Sequence, residues 1–301
     1  KNWMIFDTDT LRMAGAWSRK EGTTTNFIDW RGIQFNGEHQ VHPRVVGEVH
    51  QVNSNGPGWS HPIDGSFTDD KRVVGRDGRR YGPLPRSWGQ FHGTYYFNQR
   101  VVLSYSIGNA SILESPRSID REGNSIPWII RTFNIGPRDQ DLTLQVAEAS
   151  NVDSDHWVVD PKDHSLVHHP QGRRLSSGYS PTKIPMQWIV DGDSLRLKIP
   201  VGKEPLQFAV WTTGKLQDGG SPPMDPSEFD LSSMTHGGPP RWPQSLTTQA
   251  KLGSAEGPFA VNFLSAPENN PWLALTRFTG LDFFADGRTA LSTWDGDVWI
   301  V

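Results

Sequence analysis

Between Ser194 and Ile199 the side chains alternate: Leu195, Leu197 and Ile199 are apolar, and Arg196 and Lys198 are charged. A period of two places the first set on one face of an extended strand and the second on the other. A helix, whose faces repeat every 3.6 residues, cannot separate them that way. Leu142, Leu144, Val146 and Ala147 nearly keep the same period, and the strand-favouring runs WIIRTFNI and GTYYFNQRVVLSYSI extend it. Turn signals punctuate these runs: Asn36-Gly37, whose two residues both tolerate positive φ, then Asn98-Gln99, Gly108-Asn109, Gly136-Pro137 and Asp191-Gly192. Such pairs favour tight hairpins. Successive hairpins with one apolar face predict antiparallel sheets that stack in pairs. The expected fold class is therefore all-β, with a large antiparallel β-sandwich over residues 1–214.

Two stretches interrupt the pattern. Residues 54–90 are dense in Gly, Pro and Asp and predict long loops, with enough aromatic residues to pack back on the body. Residues 215–258 form a Pro/Gly-rich linker with one short helical turn, capped by Asp225 with Pro226 at its first position. From residue 259 strand signals return. The final run, TGLDFFADGRTALSTWDGDVWIV, reads as strand, Asp-Gly turn, strand, Asp-Gly turn, strand. A meander of this kind is what one propeller blade contains, and a single blade buries neither face alone. The same strands can also complete the preceding sandwich, and the pattern does not decide between the two. The chain starts at Lys1 with neither Met nor a leader and stops on Ile300-Val301, so the expectation is a piece of a longer product.

Composition narrows the functional classes. Net charge is −4 over 301 residues, with no long basic stripe, so nucleic acid is not an expected partner. The short RDGRR run, residues 76–80, reads as a solvated loop around an Asp-Gly turn. Cysteine is absent, which excludes disulfides, Cys-zinc sites, thiol catalysis and haem attachment within this sequence. No apolar run approaches the length of a membrane-spanning helix.

The runs FDTDTLRMAGAW, FIDWRGIQFNGEHQVHPRVVGE, YGPLPRSWGQFHGTYYFNQRVVLSYSIGNASILE, GGPPRW and FTGLDFFADGRTALSTWDGDVWIV follow one another in this order. Together they make the chain resemble an uncharacterised domain family of large exported bacterial proteins. In that family the domain precedes a β-propeller similar to quinoprotein sugar dehydrogenases, often followed by a c-type cytochrome module. The resemblance implies a periplasmic or extracellular location. It implies that residues 259–301 begin an incomplete propeller, and that any haem or quinone cofactor resides in other modules. The propeller and cytochrome would be intramolecular partners.

The candidate ligand site lies in two Gly/Pro loops, GPGWSHP and LPRSWGQFHG. Trp59 and Trp88 offer ring faces for sugar stacking, or else pin the loops to the sandwich. His61, Arg86, Gln90 and His92 can bind hydroxyls. His39 with His42, and His164, His168 and His169 with Asp160 and Asp163, are weaker metal candidates, with loop hydrogen bonding as the default. The pairs Asp7/Asp9 and Asp153/Asp155 have the spacing to share a strand face, as acid/base carboxylates do, but Asp-x-Asp more often forms turns. The expected function is an accessory module that binds a polysaccharide or oligosaccharide, or docks on the propeller. The alternatives are a glycan-active hydrolase or lyase using His and Asp, and a purely structural interaction domain.

Overall fold

The computed structural model describes residues 1–19, 27–29, 43–68, 71–121, 126–148, 157–160, 163, 165–168, 175–214, 221–240, 242–254 and 256–301, with His168 by its backbone alone. The Asn36-Gly37 turn, His39, His42, His164, His169, Asp153 and Asp155 lie outside these residues. Two units are present, Lys1–His236 and Gly237–Val301. Among the described residues no helix is long and apolar enough to cross a membrane.

Among the described residues of the first unit, two large antiparallel sheets hold fourteen strands, beside two small two-stranded sheets, Ile28–Asp29 with Arg44–Val45 and Val73–Val74 with Arg80–Tyr81. In chain order the fourteen are β1 (Asn2–Asp7), β2 (Arg12–Ser18), β3 (Glu48–Val52), β4 (Gly89–Phe97), β5 (Arg100–Ile107), β6 (Ala110–Ile119), β7 (Trp128–Ile135) and β8 (Leu142–Glu148). There follow β9 (Val158–Val159), β10 (Leu166–His168), β11 (Leu175–Tyr179), β12 (Gln187–Asp191), β13 (Ser194–Ile199) and β14 (Leu206–Gly214). The six-stranded sheet runs β1-β2-β3-β8-β13-β12, and the eight-stranded sheet runs β9-β10-β11-β14-β7-β6-β5-β4. One buried cluster joins them: Leu142, Leu144, Leu195, Leu197 and Ile199 from the first sheet meet Tyr105, Ile112, Phe133 and Phe208 from the second. This is the stacked-sheet core that alternation predicts, and along β13 burial alternates with the sequence.

The hairpin turns fall where the sequence places them, with positive φ at Asn98, Gly108 and Gly192. Two departures have local causes. In β8 the period slips because the register against β13 jumps from Gln145↔Arg196 to Ala147↔Leu195, so Val146 is an extra residue in a bulge and both Val146 and Ala147 face inward. At Gly136-Pro137 the chain makes no hairpin. β7 pairs with β6 and β14, whereas β8 pairs with β13, so residues 136–141 carry the chain from one sheet to the other.

A polar group is built into the core. Arg131 Nε donates to Glu114 Oε1 at 2.6 Å, and Tyr105 Oη donates to Glu114 Oε2 at 2.7 Å. Burial, followed by the Glu114 carboxylate, pushes the Tyr105 hydroxyl well above the ordinary tyrosine value. Arg131 also packs over the Phe133 ring at 5.0 Å.

The sandwich unit continues past residue 214. Residues 224–231, read from sequence as linker, strap the eight-stranded sheet. Asp225 caps a 3-10 turn, Pro226–Phe229, through a 2.9 Å bond from Ser227 N, as the capping pattern predicts. Phe229 is buried against Trp128, Ile130, Leu166, Ala209 and Trp211. Glu228 meets Arg100 at 2.7 Å and Arg117 at 2.5 Å, and Leu231 N donates to Asn134 Oδ1 at 2.9 Å.

The second unit holds its own three-stranded antiparallel sheet of β15 (Phe278–Phe283), β16 (Thr289–Thr293) and β17 (Val298–Ile300). Its turns are the two Asp-Gly pairs, with φ of 90° at Gly287 and 91° at Gly296. Trp272 lies between Trp242 and Trp299, with ring centroids 4.9 and 5.7 Å away. Asn270 ties its loop through bonds with Pro267 O and with both backbone groups of Ala274. Among the described residues of this unit only Asn270 and Thr293 are buried; Leu281 and Phe283 remain 63% and 69% exposed.

Candidate functional site

The two Gly/Pro loops converge on one end of the sandwich. The first is laid along β8: Ser60 N donates to Thr143 O at 2.8 Å, Gln145 N donates to Gly58 O at 2.9 Å, and Trp59 bridges Leu144. Gly58 permits this course, because a Cβ there would lie 2.1 Å from Leu11 O. The second loop hangs from Asp9 O through Leu84 N at 2.8 Å and turns tightly through Trp88 N to Pro85 O, also 2.8 Å. The loops are tied to each other by Trp88 Nε1, which donates to Trp59 O at 3.0 Å. The His61 ring stands edge-on to Trp88 with centroids 4.8 Å apart.

This arrangement corrects the stacking expectation. Trp59 is 0% and Trp88 1% exposed, so neither ring has a face open to a ligand. Trp59 packs its edge near Phe133 at 5.9 Å and approaches Tyr105 at 6.3 Å. The large apolar rings serve as anchors for the two loops. His61 is partly buried, with Nδ1 3.3 Å from Asp64 Oδ1. Arg86 is exposed in the loop, and Gln90 and His92 are exposed on β4, where His92 Nε2 lies 3.1 Å from Ser106 Oγ. Asp7 and Asp9 form a turn: Asp7 accepts from Asp9 N, Thr10 Oγ1 and Arg12 Nη2.

A cavity of about 280 Å³ opens beside these loops. Pro62, Ile63 and Ser87 come from the two loops, Ile107 from the end of β5, Gly108 and Asn109 from the β5–β6 turn, Arg138, Asp139 and Gln140 from the crossing between sheets, and Leu142 from the start of β8. None of the six residues picked from sequence lines it, although their immediate neighbours do. Gly108 has φ +53 and lies against Pro62: a Cβ at 108 would come within 3.0 Å of the proline ring. Asn109 Nδ2 donates to Asp139 Oδ2 across the rim.

Arg138 is the unusual member. It is 2% exposed, and its Nε donates to Pro200 O at 2.6 Å. Its Nη1 makes a long 3.5 Å contact with Glu204 O, and its Nη2 has no hydrogen-bond partner. Burial holds Arg138 below the ordinary arginine value, with Asp141 acting in the opposite direction. Asp141 itself is engaged by Lys198 at 2.8 Å and by Val201 N at 2.9 Å, which lower its value. A buried donor left unmade is costly, and it sits on a residue that lines the cavity.

Sequence reasoning missed Asn109, Arg138, Asp139 and Gln140. The available signal was GPRDQD, residues 136–141, a polar run directly after a Gly-Pro break. Among the described residues no three of His, Asp and Glu gather as a metal site.

Residues 4–114 match the model of a domain of unknown function (DUF6797), as the resemblance to an uncharacterised domain family leads one to expect. The matched span runs from β1 into β6 and includes both loops and the β5–β6 turn, but not the crossing at residues 136–141. No curated protein and no solved structure matches the chain.

Proposed function

We propose that this chain is an accessory carbohydrate-binding module of an exported multidomain protein, and that the cavity at the sheet crossing seats one neutral sugar unit. The observation that carries this reading is the mixture of groups on one concave surface. Asp139 accepts, Asn109 and Gln140 donate, and Pro62, Ile63, Ile107 and Leu142 supply apolar wall. Sugar hydroxyls both donate and accept, and sugar C–H faces suit aliphatic walls. Arg138 and Asp139 offset each other in charge, which favours a neutral sugar over a uronate or a phosphate. The volume sits just below the usual range of about 300–1,000 Å³ for small-molecule pockets, consistent with a single ring.

Calorimetry with a panel of neutral oligosaccharides tests the proposal. Binding is expected for at least one, weakened about tenfold or more by Asp139→Ala, about 1.4 kcal/mol. Absence of heat across the panel, or full affinity in Asp139→Ala, would sink it. Trp59→Ala and Trp88→Ala are unsuitable probes because they open the core.

A second reading concerns the second unit. We propose that its meander is a propeller blade that packs against neighbouring blades. Leu281, Leu291 and Trp299 lie in one row across the three strands and so share a face, while Val298 and Ile300 are exposed on the other. In a longer product carrying further strands, amide exchange at residues 281–283 and 298–301 is expected to slow. Unchanged exchange there would remove the support for a blade.

A further inference from the structure

A second chemical feature lies on the six-stranded sheet, on residues that the cavity does not use. β2 and β3 pair through Ala16↔Gln51 and then Trp17↔Val49, so β3 spends one extra residue, His50, in a bulge. A bulge re-aims the side chain it inserts. Here the result is that His50 Nε2 lies 2.6 Å from Ser18 Oγ. His50 is 3% exposed, whereas Ser18, at the end of β2, remains partly open. The serine is thus outermost and the imidazole lies behind it.

The backbone holds this geometry. Gly47 precedes β3 with φ +139, and a Cβ there would fall 2.3 Å from Ser18 O and 3.3 Å from Trp17 Cδ1. Only glycine lets the strand entry lie so close to Ser18. Trp17 is buried, and its Nε1 donates to Phe27 O at 3.2 Å. The serine is therefore set between two fixed neighbours rather than on a free loop.

We propose that Ser18 and His50 form a nucleophile–base pair that acts on acyl esters. With the proton on Nδ1, His50 Nε2 accepts from the Ser18 hydroxyl. Attack forms the Oγ–carbon bond and moves the hydroxyl proton to Nε2. Collapse breaks the bond to the leaving alkoxide, which takes that proton and departs as the alcohol. Water then attacks the acyl-serine with His50 as base, releasing the carboxylic acid and restoring Ser18. One ester and one water give one acid and one alcohol.

The test uses the 301-residue chain and a fluorophosphonate serine probe. Covalent labelling mapped to Ser18 is expected. It should vanish in Ser18→Ala and slow on the order of 10²-fold in His50→Gln, the usual contribution of a general base. Added imidazole should restore part of the rate in His50→Ala. Labelling of the native chain no faster than that of the unfolded chain overturns the proposal, as does equal labelling in a His50→Gln chain that melts like the parent. Should the His50 variants fail to fold, the site and rate of labelling in the native chain against Ser18→Ala decide alone. The sugar-binding reading is unaffected by any of these outcomes, since Ser18 and His50 do not line the cavity.

Discussion

Replacing Glu114 by Leu removes the carboxylate that faces Arg131 in the sandwich core. Both side chains are almost completely buried, at 1% and 3% exposure, and the pair is 2.6 Å apart. After the change, Arg131 retains a 3.5 Å contact with Gln145 O and the Phe133 ring, and the Tyr105 hydroxyl loses its acceptor. An interior ion stripped of its counter-ion costs about 3–5 kcal/mol. For a unit of this size each kcal/mol lowers the melting temperature by about 2–4 °C, so a drop of about 6–20 °C is expected. Circular dichroism melting of the parent and variant chains measures it. The triple change Tyr105→Phe, Glu114→Leu and Arg131→Met replaces the whole group by apolar atoms and is expected to recover most of the loss. A single-variant drop under about 2 °C, or a triple variant no better than the single, would refute the account of a buried charge held by one partner.

Phe229→Ala should destabilise the sandwich by about 3–5 kcal/mol in denaturant unfolding, because the strap loses the ring packed on Trp128 and Trp211. Glu228 is held below its ordinary value of 4.5, first by its hydrogen bond from Arg100 and then by the charges of Arg100 and Arg117. Its depressed folded value means that its stabilisation is fully present above pH 4.5 and is lost as pH falls through the lower folded value. Glu228→Gln should therefore flatten the acid limb of a stability-against-pH curve, by a modest amount because the ion pairs are part-exposed. Gly58→Ala forces a Cβ onto Leu11 O and should cost about 1–3 kcal/mol, read as a lower urea midpoint.

Much of the sandwich was legible because alternation is a local property. β13 could be read from six residues, and the Asp191-Gly192, Gly108-Asn109 and two terminal Asp-Gly turns from pairs. What pairs with what was less legible. Nothing in residues 136–141 announces a change of sheet, since that depends on partners at Gly202 and in β13. The His50 bulge is equally silent, because it exists only against the register of β2. The site fared worst. Aromatic residues in a Gly/Pro loop read alike whether they point outward or inward, and burial of Trp59 beside Phe133, sixty and more residues away in sequence, decided the matter. The cavity residues come from four separated stretches, whose convergence only the fold creates.

The bond from Trp88 Nε1 to Trp59 O has a consequence for how a ligand would be felt. Two strips of chain that hold one wall of the cavity are latched to each other, and each is nailed into the hydrophobic interior by its indole. Neither strip can swing without dragging a tryptophan out of the core, so the recess has no cheap route to open wider or snap shut. Occupancy and folding then become a single equilibrium: whatever fills the recess raises the melting point, and substitutions deep among the stacked sheets weaken the ligand from a distance.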